Sequence, residues 1–547
     1  MEKFMSALGV LLLSVSCSSP GPFMRSQPSE PRTAPSRVER DAPPQQSSPA
    51  TTESFQEISD HVDERFESWE LIESPSGWTV EKFASGLTYP TGATWDSAGR
   101  LWVSESGGGM APFMIATPRL VRISPGGSAE SSIDLSAFDV HSPVNDVTWH
   151  DGWLYFSHRL PDLSGGVSRI RPDGSGYQNL VRDLPSWFEH QTNEIVFDAG
   201  GTMYIAQGPP TNSGVAGPDI APWVKAYPKG AVIPCQDIVL TGRNFYGENF
   251  LTPKENDHVS TGAFVPFGVL TTSGQRIKGG APHCAGAVLS ARPDGSSLEV
   301  VAWGFRNVFG LAFGPDGKLY ASQNGMDMRG LRPAEHDKDA FYRVRPGEWY
   351  GWPDYTGELK PITSMSPPDR MLATGHTGLE FVIDHKASGL DAPDQDLMIA
   401  TFQHHSATTK FDFAPESWKP CAGVAYFAQW GDLAPPTGPL HGPEPLGFKV
   451  VSVDMKKGSV HEVLRNKYKG PGSRYGSLGR GLERPIEVKF GPDGAMYVLD
   501  FGQALIDLDK SPPYVYPPRT GMIWRVNRTG NECRLPEQGK SESGHSH

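Results

Sequence analysis

One short pattern recurs along this chain and constrains its fold more than any other feature. An apolar run closes on a turn containing Asp or Gly, and a second apolar run follows. Clear copies occupy residues 93–105, 147–156, 195–205, 308–322 and 488–498. Asp supplies a local side-chain hydrogen bond and Gly a positive φ, which together reverse a strand. A weaker copy at 423–430 falls between the last two. Five clear copies and one degenerate copy predict an all-β chain, a six-bladed β-propeller in which each blade is one supersecondary unit around a central channel. The uneven spacing calls for inter-blade insertions, the largest at about 208–283. A β-sandwich with coincidental turns is the alternative reading.

The repeat also accounts for the length. A propeller grows by adding blades rather than enlarging one core, so residues 78–528 form a single domain. The 61 Gly and 50 Pro suit its many turns. Apolar alternation at 78–87 and 523–526 predicts that these two segments pair to close the ring. Residues 529–547 read as a flexible tail, and 61–77 as a short lead-in that starts with a helix near 60–71.

The first 17 residues read as an export signal. Lys3 precedes a mostly apolar run from Phe4 to Val15, too short to span a bilayer comfortably. The run ends at Cys17 in a pattern resembling a bacterial lipobox, with Ser14 where Leu is commonest; ordinary signal cleavage is the alternative. Residues 18–60 are rich in Ser, Pro, Thr, Arg and Glu and bury too little surface to fold, which predicts a disordered linker. The expected location is extracytoplasmic: a lipoprotein on the membrane surface, or a periplasmic or secreted protein without the lipid. A net charge of −13 with no basic tract argues against nucleic acid, and leaves a lipid anchor as the expected membrane contact.

Cys235, Cys284, Cys421 and Cys533 remain for an oxidising compartment. Their spacing fits neither a zinc site nor a covalent haem site. Cys235 and Cys284 flank the large insertion, where a disulfide would shorten a loop.

In a propeller, residues at the ends of the repeated hairpins meet at one mouth of the channel. That set comprises Glu105, Asn145, Asp146, His190, Glu194, Arg306, Asn307, Gln323, Asn324, Asp327, Gln429, Arg484 and Asp500. Within it, an imidazole at His190 is suited to accept a proton at neutral pH, with Glu189 beside it to orient the ring. Arg306 offers a permanent charge in a planar fork. The loop 323–327 that follows is rich in oxygen ligands, so a cation and a metal-binding loop share one hairpin end.

Three segments, 188–197 around His190, 303–327 around Arg306-Asn307 and the run Tyr350-Gly351-Trp352-Pro353, resemble the soluble glucose/sorbosone dehydrogenase family, which uses pyrroloquinoline quinone (PQQ). The resemblance implies a sugar dehydrogenase, acting on a sugar or related alcohol or aldehyde and passing electrons to a separate protein or quinone acceptor. It implies His190 as catalytic base, with Arg306 contacting the cofactor and stabilising charge that develops on it. Asn307 would also contact PQQ, and Lys410 and Arg484 are further candidates. It also implies a calcium ion held by the carbonyls of Gly325 and Met326, supplemented by Asp327. Met326 departs from the proline of glucose-oxidising members, and Glu194 stands where they carry Arg. Two other functions fit a propeller. One is a lactonase-like hydrolase with a metal on Glu105, Asn145, Asn307 and Asp500; the other is a non-catalytic carbohydrate-binding propeller using aromatic loops such as 349–352.

Overall fold

The repeated turn is held the same way in four blades. One oxygen of Asp96, Asp198, Asp316 and Asp493 accepts backbone N–H groups of the turn, at 2.8–3.1 Å. The other oxygen accepts from an aromatic side chain on the returning strand: Trp102, Tyr204, Tyr320 and Tyr497. Each turn also places a glycine at positive φ, for example Gly317 at 71° and Gly494 at 78°. One aspartate thus sets the turn and ties the second strand to it, which explains why the pattern repeats with an aromatic residue.

The computed structural model describes residues 71–108, 114–365, 378–434, 445–476, 479–510 and 513–536. The signal, Cys17, the 18–60 linker and nearly all of the helix expected near 60–71 lie outside them. Six antiparallel sheets of four strands or more form the blades of a propeller. Their first strands are Pro90–Trp95, His141–His150, Thr192–Phe197, Asn307–Phe313, Thr408–Phe413 and Pro485–Phe490, and these pack side by side in a closed ring. The ring closes in the last blade, where Trp78–Leu87 pairs with Gly521–Arg528 in the register Val80↔Val526 and Lys82↔Trp524. No described helix is long and apolar enough to cross a membrane.

Three departures from the sequence reading have simple causes. In the fifth blade the first two strands are Thr408–Phe413 and Ala425–Gln429. The connector between them carries a 3₁₀ turn, Glu416–Trp418, in place of the Asp/Gly reversal, so only the second strand was recognisable. Ile72–Glu73, within the lead-in, adds a fifth strand to this blade. Residues 529–536 are pinned rather than loose: Cys533 forms a disulfide with Cys421, and Trp78 Nε1 donates to the Glu532 carbonyl at 2.8 Å.

The large insertion leaves the third blade after Met203–Gln207 and rejoins it at Ala287–Ala291, inside the blade rather than between blades. It contains the helix Ala221–Ala226 and two small ladders, Ile238–Val239 with Arg276–Ile277 and Asn244–Glu248 with His258–Gly262. Cys235, inside the insertion, is joined to Cys284 near its return to the blade.

Candidate active site

First strands run away from one mouth of the channel and second strands return to it. Their ends therefore share a level, as in the pairs Pro90↔Glu105, Asn307↔Asn324, Thr408↔Gln429 and Pro485↔Asp500. A cavity of about 190 Å³ opens there, and His190, Arg306, Asn307, Asp327 and Arg329 line it.

Part of its wall is a chain of amides crossing four blades. Asn145 Nδ2 donates to Asn193 Oδ1 at 3.2 Å, Asn193 Nδ2 to Asn307 Oδ1 at 3.0 Å, and Asn307 Nδ2 to Asn324 Oδ1 at 3.3 Å. Asn324 Nδ2 then donates to the Thr408 carbonyl at 2.7 Å. Such a chain polarises in one direction and fixes each amide's orientation. Asn307 is thus held with its side chain committed to neighbours on both sides.

His190 is buried, and its Nδ1 lies 2.8 Å from the Pro209 carbonyl. A carbonyl only accepts, so Nδ1 carries the proton and Nε2 keeps its lone pair. Burial first, then the charges of Arg306 and Arg329, hold the imidazole well below its ordinary pKa. The ring is orientated by Pro209, not by Glu189 as expected; Glu189 Oε2 is 4.0 Å from Nε2 and is drawn to Arg329 at 2.6 Å. Burial raises the pKa of Glu189 despite that pairing.

Arg306 is positioned from three sides. Its backbone N–H donates to Gln323 Oε1 at 2.8 Å, and its Nη2 donates to Asn212 Oδ1 and Asp327 Oδ2, both at 3.0 Å. Its Nε is buried without a hydrogen-bond partner. Arg329 sits behind it and bridges Glu189, Asp219 and Asp327 at 2.6–2.9 Å. Although burial opposes ionisation of Asp327, the two guanidiniums hold its carboxyl far below the usual range. Arg329 and Asp219 escaped the sequence reading because they lie outside the repeated hairpins, the second of them in the insertion.

The loop after Asn324 is braced from behind. Gly325 N–H donates to Asp339 Oδ1 at 2.9 Å and Met326 N–H to Asp337 Oδ2 at 2.7 Å. No hydrogen bond of the described residues ends on the carbonyl of Gly325 or Met326. Asp327, the expected supplementary ligand, has one oxygen engaged by Arg306 and Arg329, with His405 Nδ1 3.5 Å from the other.

Lys410 and Arg484 line no part of the cavity. Lys410 is fully buried inside the channel, donating to the Thr91 and Asn145 carbonyls at 2.9 Å and to Asp146 Oδ1 at 2.5 Å. Arg484 donates to the carbonyls of Trp430, Gly431 and Asp432 and stacks on the Trp430 ring at 4.1 Å, so it shapes the wall from outside. Glu194 is also inside the channel, accepting Leu311 N–H at 2.7 Å and Lys489 Nζ at 3.2 Å. Burial pushes its pKa up to about 8 against the pull of Lys489 and Lys410. Among the described residues, Asp146, Glu194 and Glu487 form the one carboxylate trio spaced for a metal. Two ammonium groups, Lys410 and Lys489, already occupy its centre of charge.

The hydrolase metal set does not assemble. Glu105 is taken by Thr88 N–H and Arg119, and Asp500 by the N–H groups of Glu483, Arg484 and Gly502. Trp349, Tyr350 and Trp352 are buried at 7, 2 and 4 % exposure, which removes that aromatic loop as a carbohydrate platform.

No family model matches the chain, and no curated protein matches it. Among solved structures, it is similar to the PQQ domain of pyranose dehydrogenase from Coprinopsis cinerea (14 % identity, 85 % of this chain and 98 % of that one, TM-score 0.48). It is also similar to a Trichoderma reesei carbohydrate-active enzyme of family AA12 (13 %, 85 % and 99 %, 0.47). A third is the PQQ-bound aldose sugar dehydrogenase of Streptomyces coelicolor (14 %, 83 % and 100 %, 0.42). At these identities the likeness concerns the path of the chain alone.

Proposed function

We propose that this protein is an extracytoplasmic, PQQ- and calcium-dependent dehydrogenase that oxidises a sugar or related alcohol and passes electrons to a separate acceptor. The observation that carries this reading is one cavity holding three parts. They are a neutral His190 with Nε2 unprotonated, Arg306 with an unpartnered Nε, and the 325–326 carbonyls that accept no hydrogen bond.

Charge decides how the cofactor fits. Five carboxyl groups line the cavity (Glu189, Asp327, Asp337, Asp339 and Asp432) against two guanidiniums and the His405 imidazole. A ligand with three carboxylates gains little from such a wall unless a divalent cation accompanies it. The free carbonyls of Gly325 and Met326 are hard oxygen donors suited to calcium, braced by Asp339 and Asp337. The residues present therefore fit the quinone and calcium together. When bound, the pair supplies a two-electron acceptor polarised by a hard cation.

The chain's own part is acid–base and electrostatic. His190 Nε2 takes the proton of the substrate hydroxyl, which makes departure of hydride from the same carbon favourable. Pro209 holds the tautomer that permits this. Arg306 Nε offers a fixed donor toward an oxygen that becomes negative, and Asn212 with Asp327, both bound to Nη2, prevents the guanidinium from turning away. Arg306→Ala should weaken PQQ retention and turnover together. Arg306→Lys should not restore either, because an ammonium lacks the Nε donor in the plane of the fork; full recovery with lysine would remove Arg306 from this role.

Dye reduction across a panel of aldoses, after loading metal-stripped protein with PQQ and calcium, tests the activity. Turnover of at least one aldose is expected; loaded protein inactive on every sugar and simple alcohol would refute it. Anchoring is a separate proposal: lipid on Cys17 holds the propeller at a membrane surface, which takes more than one acyl chain. Cys17→Ser should move the protein from the membrane fraction to the soluble one, and unchanged fractionation would count against the anchor.

A further inference from the structure

The last blade carries an insertion of its own between Met496–Asp500 and Gly521–Arg528, which contains the short ladder Leu505–Ile506 with Tyr514–Val515. This insertion brings Tyr516 to the cavity wall. The phenol is only 9 % exposed, and its hydroxyl has no hydrogen-bond partner. Its position is nevertheless fixed. Tyr89 Oη donates to the Tyr516 carbonyl at 2.6 Å, Phe501 meets the ring edge-on at 5.6 Å, and Tyr514 stacks at 6.5 Å. A buried hydroxyl is normally paired, so one held rigidly at a cavity wall without a partner points to a ligand. Burial keeps this phenol protonated, hence a donor.

We propose that Tyr516 is a specificity-determining residue that donates a hydrogen bond to a hydroxyl oxygen of the sugar substrate, which rests against Trp430. This deepens the dehydrogenase reading and rests on it. The charged donors suited to the tricarboxylate, Arg306 and Arg329, come from the fourth blade's hairpin and the loop beyond it. The next two blades round the ring supply aromatic surface, the fifth contributing Trp430 and the sixth Phe501 and Tyr516. A neutral donor beside aromatic surfaces matches a neutral polyol, whose C–H face packs on a ring while its hydroxyls need partners. Trp430 is half-buried and held by Arg484 at 4.1 Å and Phe501 at 5.7 Å, so its ring is a fixed platform.

Tyr516→Phe removes the hydroxyl and keeps the ring. Three measurements are made on wild type and variant: thermal midpoint of the ligand-free protein, PQQ affinity by tryptophan quenching with calcium, and calorimetric binding of a non-oxidisable 1-deoxy sugar. The expected outcome is an equal or higher midpoint, PQQ affinity within about twofold, and sugar affinity weakened about 3- to 10-fold. Where turnover is measurable, KM should rise more than kcat falls. Equal sugar affinity in the two proteins would overturn the proposal, as would wild type that binds no sugar. A PQQ affinity that falls instead would assign the hydroxyl to the cofactor and equally overturn it. Because the calorimetric arm needs no turnover, failure of Tyr516 and failure of the dehydrogenase reading are separable.

Discussion

His190→Ala should lower turnover by about 10²–10⁴-fold while leaving PQQ affinity nearly unchanged. The imidazole is a neutral base at the cavity wall with its tautomer set, Nδ1 being tied to Pro209 at 2.8 Å. Removing it takes away the proton acceptor but neither Arg306 nor the 325–326 carbonyls. His190→Gln is a useful companion, since an amide can still hydrogen-bond a hydroxyl but cannot take its proton. The pH profile adds a second readout. Burial, with the charges of Arg306 and Arg329, lowers the imidazole's pKa, so it stays unprotonated as the pH falls through 6.5 and below. The acid limb of turnover in wild type should accordingly lie below the ordinary histidine range. Alanine protein with wild-type turnover would remove His190 from the chemistry.

Lys410→Met should destabilise the propeller by about 3–5 kcal/mol, read from guanidinium midpoints. Lys410 reaches across the channel from the fifth blade to carbonyls of the first and second, and its partner Asp146 is 1 % exposed. Burial opposes the charge on this ammonium, but Asp146, Glu487 and Glu194 together hold it protonated. Methionine fills similar space and leaves that carboxylate cluster short of one cation, which is the costly way to break a buried pair. A second change, Asp146→Asn, should recover part of the loss, because the pair rather than either residue alone is being balanced. If Lys410 were instead a cofactor contact, the single variant would lose PQQ affinity with its stability intact. Unchanged PQQ affinity in the folded fraction is expected.

The propeller was legible in the sequence because its turn chemistry is local. Asp96, Asp198, Asp316 and Asp493 each act within a few residues, so the signal survives in a short window. The fifth blade was faint for the converse reason, its reversal being spread over a connector with a 3₁₀ turn. At the site, the sequence placed His190, Arg306 and the 325–327 loop at hairpin ends, and these line one cavity. Less local features were hidden. The carbonyl that sets the tautomer of His190 belongs to Pro209, nineteen positions away, while the adjacent Glu189 turned out to serve Arg329. Lys410 was a candidate cofactor contact through the family resemblance, yet its strand register turns it into the channel. Tyr516 has no repeat signature, since it sits in an insertion peculiar to the last blade.

This acidic cavity should take the quinone only together with a hard divalent cation. Fluorescence titration of PQQ into metal-stripped protein, with and without calcium, tests it directly. Saturable binding with calcium, weakened at least tenfold without it, is the expected result. No binding under either condition, or equal affinity in both, would contradict it.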